Sequence, residues 1–163
     1  MSYNEHWPRW VQSSVGKHFK DVAILGNYPS LVEEIEERTS AFQESPQRIE
    51  IRVNGPFCKE LSKDYWRFEV DPYLFIYSHM DGTLTNAYEG TIMAGLLAQA
   101  AAQPIPVYKF GNGVDDDQSQ IGCLTLRRGN DESVKVFHFG EVDKVNRIVQ
   151  LAVDVRLEMC LRT

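Results

Sequence analysis

The sequence has few of the features that mark enzymes and secreted proteins. Three cysteines occur in 163 residues, at positions 58, 123 and 160, without the short CxxC spacing that suits zinc or a dithiol redox pair. We interpret all three as reduced thiols, and Cys123 and Cys160, which lie in predicted strands, as small packing groups. No serine stands in a GxSxG pattern, and no phosphate-binding loop is present. We therefore predict no enzyme activity, no metal and no cofactor.

The chain also lacks long apolar runs and an excess of basic charge. No run approaches the roughly 20 apolar residues of a membrane span, and the first ten residues contain charges and Pro8. We expect no membrane contact and synthesis into the cytoplasm. With 17 basic and 23 acidic residues the net charge is −6, which disfavours tight binding of nucleic acid. The length and the 43% hydrophobic content predict one folded domain over residues 1–163.

Helical periodicity occurs in three segments. Apolar residues recur every three or four positions in WPRWVQSSVGKHF, from Trp7, which predicts a short helix. After Pro29, Ser30 can cap a second, acidic helix over residues 31–42. The small, apolar stretch before Pro104 predicts the longest helix, over about residues 85–102.

The remaining segments favour strands. Alternation of apolar and charged residues predicts a strand over residues 49–53, ended by Asn54-Gly55-Pro56. A second covers residues 65–77, where Pro72 indicates an edge, a bulge or a break. Shorter strands are predicted over residues 104–110, 120–127 and 134–139. The predicted fold class is α+β: a mainly antiparallel sheet of about five strands, packed with one long helix over about 85–102 and short N-terminal helices.

The clearest pattern lies in residues 149–161. Its odd positions are apolar, and polar residues including Asp154, Arg156 and Glu158 occupy even positions. A register shift of one residue would expose the whole apolar set, so this pattern specifies one register. We predict a single strand here, with its odd face against the helix over about 85–102 and its even face toward solvent or a neighbouring subunit.

Three groups of residues are candidates for a function. The loop carboxylates Asp115, Asp116 and Asp117 lack the ligand spacing of a calcium loop, so a solvated turn is the favoured reading. A small metal-dependent hydrolase would use His79, Asp81 and His138, which share no local motif. Aromatic residues of the 65–77 strand occupy both faces, which means either that both faces are covered or that one of them meets a partner subunit. Under the second reading the interface candidates are Tyr73, Phe75 and Tyr77.

Several segments together resemble the neck and tail-completion proteins of long-tailed bacteriophages, most of all the tail terminator family. They are WPRWVQSSVGKHF, the strand pair RIEIRVNGP and YWRFEVDPYLFIYS, the small-residue helix before Pro104, and the ending FGEVDKVNRIVQLAVDVRLEMCL. The order of these elements covers most of the chain. The segment YPSLVEEIEERTSAF and the loop over residues 111–120 are not diagnostic of that family.

The resemblance implies a structural virion protein in the neck of the tail, assembled in the host cytoplasm. Its partners would be further copies of itself in a ring, commonly a hexamer, the tail tube protein that the ring caps, and the head-side connector. DNA would pass through the ring without specific binding, which agrees with an acidic subunit. A head-completion or neck adaptor role is the alternative within this class. Subunit-interface candidates are Tyr73, Phe75, Tyr77, Asp115, Asp116, Asp117, Arg156 and Glu158.

Overall fold

Strands account for half of this protein's architecture. The computed structural model describes residues 3–33, 35–79, 84–110, 119–127 and 133–162, with the side chains of residues 84–88 left out. The elements in chain order are α1 (Trp7–Leu25), β1 (Ser30–Val32), α2 (Ser40–Glu44), β2 (Arg48–Ser62), β3 (Tyr65–His79), α3 (Leu84–Ala102), β4 (Ile105–Tyr108), β5 (Gln120–Leu126), β6 (Val134–Asp143), β7 (Ile148–Val155) and β8 (Leu157–Arg162).

The long strand β3 is the centre of the sheet. One of its edges pairs with β2 throughout, and the other pairs with β8 in its first half and with β7 in its second half. The sheet continues from β8 to β5 and β4, and from β7 to β6. Strand β1 adds to β2 in parallel, and the other pairs are antiparallel. The sheet therefore branches at β3, with β6 at one limit and β4 at another.

The two faces of the sheet have different surroundings. Even-numbered residues of β3 and odd-numbered residues of β7 and β8 are buried on the inner face, where α1 and α3 pack. The core on this face contains Phe19, Phe68, Leu74, Leu97 and Val153, each 0% exposed. On the opposite, outer face, the short helix α2 and the turn before it cover one corner, where Arg38 binds Glu50. Within the described ranges no other helix packs on the outer face.

The predicted fold class is wrong. The protein is mostly β, with 50% of residues in strands and 28% in helices, and its curled, mixed sheet has eight strands rather than about five antiparallel ones. Two causes are visible. Strand β1 is only three residues long, too short for a periodic signal, and the C-terminal run forms two strands instead of one. The first helix is also longer than predicted, since α1 has 19 residues.

The acidic helix predicted over residues 31–42 does not form. Leu31 and Val32 lie in β1, and the Glu33 N–H donates to the Ile51 carbonyl at 2.9 Å. The helix that follows, α2, spans only Ser40–Glu44 and begins after Thr39, whose side chain accepts from the Phe42 N–H. Pairing with the edge of β2 therefore outweighs the local helical pattern.

The strand predicted to end at Asn54-Gly55-Pro56 instead continues to Ser62. The register between β2 and β3 shifts between Asn54 and Phe57, so a bulge accommodates the extra residues. Gly55 suits this position because its φ of +102° disfavours other residues. Its bond to Pro56 is cis. The residues Asn54-Gly55-Pro56, predicted to end the strand, are therefore a bulge within a longer strand.

The edge, bulge or break that Pro72 indicated does not interrupt β3, which is central in the sheet and continuous through this residue. Pro72 coincides instead with the gap between β7 and β8: the pairs Tyr73 with Asp154 and Val70 with Leu157 share one register, and Asp71 and Pro72 pair with neither strand on that edge. Arg156, between these strands, donates its N–H to the Ser133 carbonyl at 2.9 Å instead of to β3. The odd-even sorting of residues 149–161 is confirmed across this gap. The helix predicted over about 85–102 is present as α3, and it contacts β7 and β3 on the inner face as expected.

Candidate protein-interaction surface

Three aromatic side chains of β3 form the middle of an exposed surface on the outer face. Tyr73, Phe75 and Tyr77 alternate with buried Leu74 and Ile76, so the pleat directs them away from the core. The Tyr73 and Phe75 rings lie 4.8 Å apart between centroids in a tilted arrangement. All three remain partly exposed.

Arginines of β2 stack on these rings. The guanidinium carbon of Arg48 lies 4.1 Å from the Tyr77 ring centroid, and that of Arg52 lies 5.9 Å from the Phe75 centroid. Such contacts add cation–π attraction and hold the planar groups in fixed positions. Burial raises the pKa of Tyr77, and the nearby Glu50 carboxylate raises it further against the opposing charge of Arg48. The result is a flat surface of aromatic rings and guanidinium groups.

The aromatic surface extends across β7 to β6. Phe137 pairs with Ala152, which in turn pairs with Phe75, so the small Ala152 lies between two rings and is 0% exposed. Phe139 stacks on Phe137 at 6.1 Å between centroids. Phe137 is 38% exposed and Phe139 is 50% exposed. We call Tyr73, Phe75, Tyr77, Phe137 and Phe139 the outer aromatic surface.

Charged groups border this surface where the sheet branches. Arg67 lies 2.7 Å from a Glu158 carboxylate oxygen and 3.2 Å from one of Glu69, and Arg127 lies 2.7 Å from one of Asp71. These pairs connect β3, β5 and β8. Burial raises the pKa of Asp154, beside Tyr73, although the Arg156 charge lowers it. The border thus consists of arginine side chains in ion pairs with carboxylates.

Two sheet edges are capped by the chain's own side chains. On β4, the Tyr108 N–H donates to the Ser14 hydroxyl at 3.0 Å, and the indole of Trp10 donates to the Phe110 carbonyl at 2.9 Å. On β1, the Val32 N–H donates to a Glu36 carboxylate oxygen at 2.9 Å. Capping of this kind prevents an edge from pairing with another chain.

The edge of β6 differs from those two edges. It pairs with β7 on one side, and within the described part of the chain no strand pairs with its other side. Apolar side chains are exposed on both of its faces, since Val136 is 41% exposed and Val142 is 49% exposed in addition to the two phenylalanines. Register shifts interrupt its second half, so its regular stretch covers residues 134–138. An apolar edge of this kind is a site for association.

The predicted interface candidates fall in different places. Tyr73, Phe75 and Tyr77 belong to the outer aromatic surface, and Glu158 lies in its charged border. Arg156 lies at the junction of β7 and β8. The triplet of Asp115, Asp116 and Asp117 lies outside the described residues.

Sequence reasoning missed the contribution of β6. It predicted a strand over residues 134–139 and named no interface candidate there, although the side chains of Phe137, His138 and Phe139 are all exposed. The available signal was the segment VKVFHFGEV, in which apolar residues occupy odd and even positions alike. Such a segment does not sort one face toward a core.

The residues of the hydrolase hypothesis do not converge where they are described. His79 ends β3 and pairs with Ile148, whereas His138 is exposed on β6 opposite Leu151, with β7 between the two strands. Asp81 lies outside the described residues. Among the described side chains, no group of three or more His, Cys, Asp or Glu residues could hold a metal ion.

No protein-family model matches this chain, and no curated protein matches it. Over the described residues, none of the helices is both long enough and apolar enough to cross a membrane.

Proposed function

We propose that this chain is a structural virion protein of a long-tailed bacteriophage, which assembles into a ring at the head–tail junction as a tail terminator. The family rests on the sequence resemblance. The observation that carries the proposal is the apolar edge of β6, which none of the described strands covers and which suits a subunit that associates with others. The subunit would cap the tail tube and join it to the head-side connector.

The outer aromatic surface supports the same proposal. Tyr and Arg are enriched in protein interfaces because they combine apolar area with hydrogen-bonding groups. Here Arg48 and Arg52 are already held over Tyr77 and Phe75, so little side-chain entropy would be lost on association. A ring requires two different patches on each subunit, and the β6 edge and the centre of the outer aromatic surface are our two candidates.

The acidic net charge of −6 fits the proposed passage of DNA. A basic channel would bind the phosphate backbone and slow its transfer, whereas an acidic one would not hold it. Under this proposal the chain performs no catalysis, and DNA is not a bound partner.

Association at β6 is tested by Phe137→Lys. We expect the wild-type chain to form an oligomer at micromolar concentration, alone or with tail tube protein, and Phe137→Lys to weaken it by placing a charge in the contact. Light scattering after size exclusion measures the mass. Leu25→Lys is the matched control, because Leu25 is 84% exposed at the end of α1 and contributes to neither patch.

The result that rejects the proposal is a wild-type monomer that binds neither tube protein nor connector at any concentration tested. Binding to connector proteins alone would instead assign the chain to a neck adaptor. An oligomer that Phe137→Lys and Leu25→Lys leave equally intact would remove β6 from the interface.

A further inference from the structure

Two of the three cysteines are exposed, contrary to the prediction that they pack in the fold. Cys123 lies on β5 and Cys160 lies on β8, and both have free, exposed thiols. Cysteine is among the most frequently buried residue types, so reactivity is a better explanation than packing for two exposed thiols. Cys58 differs, because it is partly buried and contacts the Tyr3 hydroxyl at 3.7 Å.

The strand register brings the two exposed thiols together. Thr125 pairs with Glu158 and Leu126 with Leu157, and continuing this antiparallel register places Cys123 opposite Cys160. The core face supports the continuation: a Cβ on Gly122 would lie 2.8 Å from Met159 Sδ and 3.1 Å from Leu161 Cδ2. Gly122 therefore remains against the same strand, one residue before Cys123.

Both thiols open into one cleft on the outer face. Its walls include Tyr65, Arg67 and Thr125 together with the two cysteines. The Gln120 side-chain amide donates to Cys123 Sγ at 3.0 Å, and Tyr65 and Cys160 line the same cleft. A small disulfide can reach both sulfur atoms from solvent.

We propose that Cys123 and Cys160 form a reversible cross-strand disulfide by exchange with a low-molecular-weight disulfide such as glutathione disulfide. One cysteine thiolate attacks glutathione disulfide, forms a mixed disulfide and releases one glutathione. The second thiolate attacks the protein sulfur of that mixed disulfide and releases the other glutathione. Two protein thiols are oxidised to one disulfide, and one glutathione disulfide is reduced to two glutathione molecules.

The geometry permits this bond and makes it labile. Backbone pairing between β5 and β8 ends at Thr125 and Glu158, so Cys123 and Cys160 lie two residues beyond the last paired residues, where no hydrogen bond of the ladder fixes the separation of the strands. A disulfide requires Cα atoms about 4.4–6.8 Å apart, and the two strand segments, which are not paired with each other here, can close to that separation. Closing them strains the backbone around the bond. Strain of this kind favours reduction.

The test uses the full chain with Cys58→Ala, which leaves only the two thiols in question. After incubation with glutathione disulfide, we expect intact mass spectrometry to show the loss of two hydrogens and no glutathione adduct. Thiol alkylation under denaturing conditions should fall from two sites to none and return to two after millimolar reduced glutathione. Peptide mapping should find residues 123 and 160 linked.

Single variants serve as controls. Adding Cys123→Ser or Cys160→Ser to the same background should leave a stable glutathione adduct on the remaining thiol, since the second attack is then impossible. The proposal fails if the two-thiol protein accumulates adducts without an internal disulfide, keeps two alkylatable thiols, or forms disulfide-linked dimers instead.

Discussion

Two glycines of α3 allow the packing between this helix and the sheet to be measured. A Cβ on Gly90 would lie 2.7 Å from the Ser78 hydroxyl and 3.1 Å from Leu151 Cδ1, whereas a Cβ on Gly95 would meet nothing within 4 Å. The Ser78 hydroxyl is held by the Tyr28 hydroxyl at 2.9 Å in the interior. An alanine side chain would therefore meet filled space at position 90 and open space at position 95.

The expected energies follow from two opposing effects. Replacing a mid-helix glycine by alanine stabilises by about 0.8–1 kcal/mol through helix propensity. Overpacking a filled site costs about 1–3 kcal/mol. We expect Gly95→Ala to raise the free energy of unfolding by about 1 kcal/mol. Gly90→Ala should range from neutral to about 2 kcal/mol less stable. Because propensity cancels between the two variants, their difference of about 1–3 kcal/mol isolates the packing.

Urea unfolding at one fixed protein concentration measures the difference. At an m-value of about 2 kcal/mol per molar, Gly95→Ala should raise the midpoint by about 0.5 M, and the two variants should differ by about 0.5–1.5 M. Adding Ser78→Ala to Gly90→Ala should recover part of the loss by removing the nearest atom. Equal stabilisation by both glycine variants would refute the close approach of α3 to β3 and β7.

Two further predictions concern the core and acid stability. Val153→Asp should unfold the subunit by burying an unpaired carboxylate. Arg156→Glu should leave the circular dichroism spectrum and the unfolding midpoint nearly unchanged. A folded Val153→Asp variant would contradict the assignment of Val153 to the inner face. Burial raises the pKa of Glu36, but hydrogen bonds from Lys20 and the Val32 N–H outweigh this and leave the pKa lowered. A lowered carboxyl pKa contributes stability above its unfolded value, which is lost as pH falls through the folded pKa. Glu36→Gln should therefore cost about 0.5–1 kcal/mol at pH 7, and its difference from wild type should shrink as the pH falls below about 4.5. A difference that stays constant from neutral pH down to the acid limit of folding would contradict the role of the Glu36 charge.

The sequence alone determined the elements whose pattern is long and sorted. The long stretch of small, apolar residues ended by Pro104 was sufficient to predict α3. The odd-even alternation of residues 149–161 was sufficient to predict the inner face of β7 and β8, because burial of one face over many residues specifies the register. Pro72 marked the gap in pairing between β7 and β8, since it cannot donate to a ladder, although β3 itself continues through it. The aromatic candidates Tyr73, Phe75 and Tyr77 followed from the same alternation.

Only the tertiary structure decided the elements that depend on partners distant in sequence. Strand β1 exists because the edge of β2 accepts it, and β2 passes Gly55 because a bulge keeps it paired with β3. Strand order and register place Phe137 and Phe75 on either side of Ala152. They also leave the edge of β6 without a described partner strand and bring Cys123 near Cys160. Residues of this kind carry no local signal, because their environment is built by strands that lie far apart in the chain.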